Sequence, residues 1–170
     1  MESMLTTKEL DGWTGLKDEE IVKRIHRCCD AAGTQAAFSF DSAFKGKVAD
    51  VIVGRWPNAS SALRTAFLQL TRIMARDPKN VQALLPEKLI ASALNSSGLP
   101  EVCDADTTEE EQEEAVKCLC NALYHSRSAR KIFLDTKSDR GLISAIAAAT
   151  ETKDSVRRYL LLHVAFVVSA

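Results

Sequence analysis

The stretch EEEQEEAVKCLCNALYHS at residues 109–126 decides the fold of this chain, because it has the features of one long helix. Thr107 and Thr108 each precede a glutamate by three residues, which is the spacing of a capping box. The glutamates crowd the first turns, where the helix dipole favours negative charge. The apolar residues then recur at helical spacing: Ala115, Leu119, Ala122 and Leu123. The predicted helix therefore buries one face and presents a polar face, marked by Lys117 and Asn121.

A similar pattern occurs earlier in the chain. The sequence LTRIMARDPKNVQALL at 70–85 can be placed over LCNALYHSRSARKIFL at 119–134, with a constant offset of 49 residues between Leu70 and Leu119. Each copy contains a long helix, a short helix and another apolar segment. Helical recurrence at about 40 to 50 residues is typical of armadillo and HEAT arrays.

This recurrence predicts an all-α fold, an armadillo/HEAT-like right-handed superhelix of which the chain contains the N-terminal repeats only. The predicted repeat units are about 58–107 and 108–156. The last helix, at 154–170, is assigned to an incomplete repeat.

Length and composition indicate one helical domain without a broadly basic surface. The chain has 170 residues, 46% hydrophobic residues and only 6% aromatic residues, a composition that suits a helical protein rich in alanine and leucine. The formal net charge of −1 argues against a general nucleic-acid-binding surface. No signal peptide precedes the polar start, and the longest apolar run is too short for insertion into a membrane.

The first part of the chain is predicted to be a flexible start followed by helices. Residues 1–15 are expected to form a flexible N-terminus, and 17–32 to form a helix. The aromatic residues of AAFSFDSAF (36–44) are interpreted as a plug at the end of the array. Asp41 or Ser42 is the expected cap of the next helix.

Prolines and polar residues set the predicted boundaries in the middle of the chain. Asn58 or Ser60 is expected to cap a helix that runs to Arg76. Asp-Pro at 77–78 predicts a new helix at a sharp corner, since proline is favoured at the first helical position. Pro86 then restarts the chain as another helix.

The stretch NSSGLPEVCDAD at 95–106 is predicted to be a mobile surface loop. The final segment, 159–170, is apolar on nearly every side apart from His163 and Ser169, which suits a helix packed between neighbours. A solenoid needs a polar capping repeat at its end, and this apolar segment does not provide one. We therefore expect the chain to be the N-terminal piece of a longer protein.

Motifs for covalent chemistry are not found in the sequence. It contains no glycine-rich phosphate loop, no nucleophile elbow and no HExxH zinc motif. His26, His125 and His163 lie far apart, and each is interpreted as a surface or packed imidazole. The glutamate run is interpreted as a solvated helix start. We therefore predict no catalytic residue, no cofactor and no metal.

The sequence contains five cysteines, an odd number with no signal peptide, which favours reduced thiols: Cys28, Cys29, Cys103, Cys118 and Cys120. They are interpreted as small residues packing between helices. A zinc site at Cys28 and Cys29, with His26 nearby, is an alternative. An enzyme with a nucleophile at Cys118 or Cys120 is another, although neither has a base evident from sequence.

Polar residues on equivalent helices of the two predicted repeats form the candidate partner-binding site. Arg72 and Arg76 share one helix face, as do Lys117 and Asn121 on the next copy, and Arg72 and Asn121 hold equivalent positions. Two guanidinium groups and an amide suit an acidic peptide or a free C-terminal carboxylate. The alternative is an ordinary solvated face with arginines paired to local acids.

Four segments resemble synembryn, the family of resistance-to-inhibitors-of-cholinesterase proteins, in the same order and at similar spacing: AFSFDSA (37–43), TRIMARD (71–77), EEAVKCLCNALYHS (113–126) and YLLLHVAFVVSA (159–170). The resemblance implies that the protein is located in the cytoplasm and also at the cell cortex, through its binding to the G protein. It implies a chaperone and non-receptor guanine-nucleotide exchange factor for heterotrimeric G-protein α subunits, which grips the C-terminal helix of the α subunit in a concave groove. By the same analogy, a neuronal calcium sensor is a further partner.

The resemblance maps the groove residues onto Arg72, Arg76 and Asn121. Where the family's last helix carries Asp and Arg, this chain has Leu161 and His163. The expected mechanism is capture of one conformational state of the partner, with no covalent chemistry. The alternative function is a generic armadillo/HEAT scaffold that binds another extended acidic peptide.

Overall fold

The structure, a computed structural model, describes residues 5–34, 40–100, 106–136 and 138–169. These ranges contain helices and no strand. The helices are α1 (Thr7–Gly12), α2 (Asp18–Thr34), α3 (Ser42–Arg55), α4 (Ser61–Met74), α5 (Val81–Leu84), α6 (Glu87–Asn95), α7 (Glu109–His125), α8 (Arg127–Asp135), α9 (Ser138–Glu151) and α10 (Ser155–Ser169). Short 3-10 turns follow α1 at Trp13–Gly15 and α3 at Trp56–Asn58. The prediction of an all-α protein is confirmed for these residues.

Four helices lie side by side in chain order and form a row that consists of α2, α4, α7 and α10. Helix α4 packs against α2 and α7, and α10 packs against α7. The hydroxyls of Ser61 and Thr108 are 3.1 Å apart at the start of α4 and α7, and Asn121 Nδ2 donates to the carbonyl oxygen of Arg72 at 3.0 Å near their ends. These contacts join residues 47 and 49 positions apart, so α4 and α7 run parallel in a nearly constant register.

A second set of helices packs beside this row. Helix α3 contacts α5 and α6, α6 contacts α8, and α8 contacts α9. The two sets meet where α6 packs against α7 and α9 packs against α10. The large core side chains Phe67, Leu70, Leu119 and Phe133 are buried.

The N-terminal segment is folded where the sequence predicted a flexible stretch over residues 1–15. Thr6 and Glu9 form a reciprocal capping box at the start of α1. Leu10 and Trp13 are fully buried, and the Trp13 ring stacks on Phe67 of α4 with ring centroids 6.5 Å apart. The prediction was wrong from residue 5 onward. Leu10 and Trp13 stand among polar residues in the sequence, but both bury apolar area against the row, which stabilises this segment. Residues 1–4 lie outside the described residues.

Local capping rules set several of the helix starts. Asp41 Oδ1 accepts from Phe44 N at 2.7 Å, and Ser60 Oγ accepts from Leu63 N at 3.4 Å, as two of the predicted caps require. Phe40 stacks on Phe44 with centroids 4.8 Å apart, whereas Phe38, the other aromatic residue of the predicted plug, lies outside the described residues.

The Asp-Pro pair at 77–78 does not begin a helix. The next helix, α5, begins at Val81, after Asn80 adopts a left-handed backbone with φ 57°. The buried amine of Lys45 on α3 instead binds the carbonyl oxygens of Asp77 and Lys79, which holds this segment as a turn. Tertiary hydrogen bonds therefore override the local preference of the Asp-Pro pair.

The predicted mobile loop at 95–106 is partly packed. Ser96, Ser97 and Leu99 are buried, and the Ser96 hydroxyl bonds to α7. Residues 101–105, including Cys103, lie outside the described residues.

The last helix, predicted to be packed between neighbours, is buried on one side. Leu161, Val164 and Val167 pack inward, whereas Tyr159 and Phe166 are each 68% exposed. Among the described helices, none combines the length and the apolar character that crossing a membrane would require.

Candidate functional site

A cavity of about 260 Å3 lies where α4, α7 and α10 meet, and we call it the cationic cavity. Its lining residues come from all three helices and from the turn after α4: Arg72, Arg76, Lys117, Cys120, Asn121, Tyr159, Leu160 and His163. The four predicted partner-binding residues are therefore brought together in one place. Their binding role stays a prediction.

Arg72 is fixed in place by α7. Its Nε donates to Glu114 Oε2 at 2.9 Å, and its backbone carbonyl accepts from Asn121 Nδ2 at 3.0 Å. The guanidinium and the carboxylate are both largely buried, with side-chain exposures of 19% and 11%. The alternative of local pairing therefore applies to Arg72, because one edge of its guanidinium is engaged inside the protein.

Lys117 is also paired within the chain. Its Nζ lies 2.7 Å from Glu113 Oε1 and 2.9 Å from Glu114 Oε1. Burial alone would lower the pKa of Lys117, but the hydrogen bonds and charges of Glu113 and Glu114 raise it above its ordinary value. Lys117 is therefore charged at neutral pH, and its charge is balanced by its neighbours on α7.

Arg76 differs from both of these residues. It is exposed, and within the described parts of the chain its guanidinium has no ion pair and no hydrogen-bond partner. Arg72 and Lys117 share Glu113 and Glu114, so the cavity keeps one net positive charge, which Arg76 carries. A guanidinium with unused donors can bind a carboxylate through two parallel hydrogen bonds.

Helix α10 adds three residues that were not predicted to belong to the site, Tyr159, Leu160 and His163. The rings of Tyr159 and His163 stack with centroids 6.4 Å apart and an interplanar angle of 28°, and both residues line the cavity. His163 is the one titratable residue between Tyr159 and Ser169, and its spacing of four from Tyr159 was the available sequence signal. Leu161 is fully buried, so it contributes no contact to the cavity.

A second cavity, of about 500 Å3, adjoins the first along the row and is mainly acidic. Its charged lining residues are Asp30, Glu110, Glu113, Glu114 and Lys117, of which Lys117 also lines the cationic cavity. The charge therefore changes sign between the two adjoining cavities, from acidic beside α2 and the first turns of α7 to basic at the end of α4.

The described cysteines are protonated packing residues. Cys28, Cys29, Cys118 and Cys120 are free and buried. Burial raises the pKa of Cys29 and of Cys118 to about 12 and that of Cys120 to about 11. A thiol with so high a pKa holds almost no thiolate, the nucleophilic form, at neutral pH. Across the described ranges, no group of three or more His, Cys, Asp and Glu side chains is arranged to hold a metal ion.

These thiols should react slowly in the native protein. At neutral pH we expect Cys29, Cys118 and Cys120 to be alkylated at less than about a tenth of the rate of an unfolded thiol, because both burial and the raised pKa limit the thiolate. Alkylation of native and urea-unfolded protein, quantified for each cysteine by mass spectrometry, measures this. Equal rates in the two states would contradict the assignment of these thiols as inert packing groups.

The sequence also matches a known family. A family model described as guanine nucleotide exchange factor synembryn matches residues 67–170, which is more than half of the chain. The matched range contains every residue that lines the cationic cavity. No curated protein matches the chain at a significant level.

Proposed function

The chain belongs to the synembryn family of guanine nucleotide exchange factors, and we propose from this that it is an armadillo-type segment of a cytosolic chaperone and exchange factor for heterotrimeric G-protein α subunits. In this proposal the cationic cavity grips the C-terminal tail of the α subunit. The observation that carries the proposal is the exposed Arg76 guanidinium, which has no partner among the described residues and lines the cavity together with Asn121, inside the range that the family matches.

The chemistry of the cavity suits a carboxylate at the end of a chain. Arg76 supplies an uncompensated charge with two parallel donors, and the remaining donors of Arg72 lie in the same cavity. The amide nitrogen of Asn121 donates to the carbonyl oxygen of Arg72. Asn121 therefore fixes the register of α4 and α7 at this site. Tyr159 and Leu160 offer apolar area to the residues before the carboxylate.

Binding of this kind leads to nucleotide exchange without covalent chemistry. A ligand shifts a conformational equilibrium by its differential affinity for the two states. If the cavity binds the tail of the α subunit only when its C-terminal helix has moved away from the nucleotide-binding domain, tail capture favours the nucleotide-free state. The same capture would hold a nascent α subunit during folding, which is the proposed chaperone role.

The parallel row of helices supports an armadillo superhelix as the scaffold of this segment. In such arrays each repeat contacts its neighbours in sequence, and the stacked helices line one extended binding surface. The row α2, α4, α7 and α10, with contacts at offsets of 47 and 49 residues, has this kind of adjacency. Neither the cationic cavity nor the family description points to a neuronal calcium sensor, so the proposed partner is the α subunit alone.

Substituting Arg76 tests the assignment of the cavity. We expect Arg76→Ala to weaken binding of a rhodamine-labelled peptide from the C-terminus of an α subunit about tenfold or more, because a charge-assisted hydrogen bond to a carboxylate contributes about 1.5–3 kcal/mol. Amidation of the peptide's terminal carboxylate should have a similar effect on the parent chain and little further effect on Arg76→Ala. Fluorescence anisotropy measures the dissociation constants, and the absolute affinity of this 170-residue chain is expected to be weak.

The matched control is Arg127→Ala, which removes an exposed arginine at the start of α8, away from the cavity lining. It should bind as the parent chain does. Equal affinity of the parent, Arg76→Ala and Arg127→Ala chains would remove the groove assignment. Equally tight binding of an unrelated acidic peptide would favour a generic scaffold.

A further inference from the structure

We propose that His163 couples carboxylate binding in the cationic cavity to the uptake of a proton, so that partner-tail binding tightens as the pH falls from about 7.5 to about 6. This inference deepens the proposed function of the same cavity and rests on it. It concerns regulation of the site by pH, which the family description does not mention.

The imidazole of His163 is placed to meet a ligand. It is half-buried on α10, lines the cationic cavity and stacks on Tyr159 with centroids 6.4 Å apart. Within the described ranges its ring nitrogens have no hydrogen-bond partner in the protein. A carboxylate bound at Arg76 would share a cavity of only about 260 Å3 with this imidazole, because both residues line it.

The charged and titratable groups that line the cavity together with His163 come from two neighbouring elements and from its own helix. Helix α4 and its following turn contribute Arg72 and Arg76, and α7 contributes Lys117. Helix α10 contributes the Tyr159 phenol, and α9, which also packs against α10, contributes no residue to the described lining.

The balance of these charges depends on whether the cavity is occupied. The carboxylates of Glu113 and Glu114 cancel two of the three positive charges and leave Arg76 unbalanced. In the empty cavity an imidazolium would therefore add to a net positive charge. A bound carboxylate cancels that charge and can accept a hydrogen bond from the imidazolium, so carboxylate and proton favour each other's binding.

The direction of the pH effect follows from this reciprocity. A complex that holds more protons than its separate partners becomes tighter as the pH falls. One coupled proton can change the affinity by at most about tenfold per pH unit, and only across the range in which an imidazole titrates. We expect a gain of about five- to tenfold between pH 7.5 and pH 6, which lies well above the range in which peptide carboxylates titrate.

The experiment compares four chains by anisotropy with a rhodamine-labelled α-subunit tail peptide at about pH 6 and about pH 7.5. The parent chain should show the five- to tenfold gain. His163→Gln removes the imidazole, and it should bind at both pH values about as weakly as the parent does at the higher pH. His163→Arg carries a permanent charge and should bind tightly at both. His26→Gln, on α2 at the other end of the row and outside the cavity lining, is the matched control and should keep the parent's response.

The amidated peptide completes the test, because without a terminal carboxylate the pH response of the parent chain should shrink to less than about twofold. An unchanged pH response in His163→Gln, or in the parent with the amidated peptide, would overturn this inference while leaving the binding assignment intact. Absence of saturable binding at both pH values, or binding insensitive to Arg76→Ala, would instead refute the proposed function.

Discussion

Replacement of Glu111 by alanine is expected to lower the free energy of unfolding by about 3 kcal/mol, because it removes one partner of a buried ion pair. The Glu111 side chain is fully buried at the start of α7, and its carboxylate is held by Arg64 on α4. Arg64 Nε and Nη2 lie 2.8 Å and 3.1 Å from the two carboxylate oxygens. Urea denaturation followed by circular dichroism measures the change.

The expected loss is large because three side chains donate four hydrogen bonds to this carboxylate. Ser61 Oγ of α4 donates to it at 2.8 Å, and Ser96 Oγ, after α6, donates at 2.7 Å. The alanine variant removes the acceptor of the buried Ser96 hydroxyl and two hydrogen bonds of the Arg64 guanidinium. Buried polar groups without partners each cost about 1–3 kcal/mol.

Glu110→Ala is the matched control, since Glu110 is exposed in the same first turn and carries the same charge near the same helix dipole. It should change the free energy of unfolding by less than about 0.5 kcal/mol. Arg64→Ala should destabilise the protein about as much as Glu111→Ala, and the double variant little more than either single variant. If Glu110→Ala and Glu111→Ala had equally small effects, Glu111 would be solvated, as predicted for the whole glutamate run.

Replacement of Lys45 by methionine is expected to cost about 2–4 kcal/mol of stability. The Lys45 side chain is fully buried, and its amine donates to Asp77 O at 2.9 Å and to Lys79 O, with Asp77 Oδ2 at 3.4 Å. Methionine retains the apolar stem but cannot satisfy the two carbonyls or balance the carboxylate. The midpoint of urea unfolding gives the size of the loss.

The same substitution should also weaken tail binding, because the turn that Lys45 holds follows directly after Arg76. Lys47→Met is the control from the same helix. Its amine lies 2.6 Å from Asp11, but both side chains are well exposed, and exposed pairs contribute little. We expect Lys47→Met to leave stability nearly unchanged and binding unchanged. Comparable losses in the two variants would show that the buried amine does not organise the turn.

Much of the helical framework could be predicted from local rules. Asp41, Ser60 and Thr108 cap helices as their hydroxyl or carboxylate groups suggest, since each satisfies a backbone N–H within three residues. Two residues 49 apart in sequence, Arg72 and Asn121, are bonded to each other in the folded chain. The candidate site was found in the same way, because residues on one face of two equivalent helices meet when those helices are parallel.

The features that sequence reasoning missed depend on contacts between distant segments. Nothing near Trp13 marks it as a core residue, and only the approach of Phe67 makes it one. Nothing distinguishes Glu111 from the four other glutamates of its run until Arg64 and Ser96 enclose it.

For this protein, the sequence alone determined the all-helical class, most helix boundaries and the set of polar residues that could meet a partner. Periodicity and capping are properties of neighbouring residues, so they can be read without coordinates. Tertiary structure alone decided which charges in the cavity are already balanced. Arg72 and Lys117 are paired with acids on α7, whereas Arg76 is free in the described chain and lines the same cavity as His163. Charge balance depends on distances between helices, and those distances are fixed only when the row is packed.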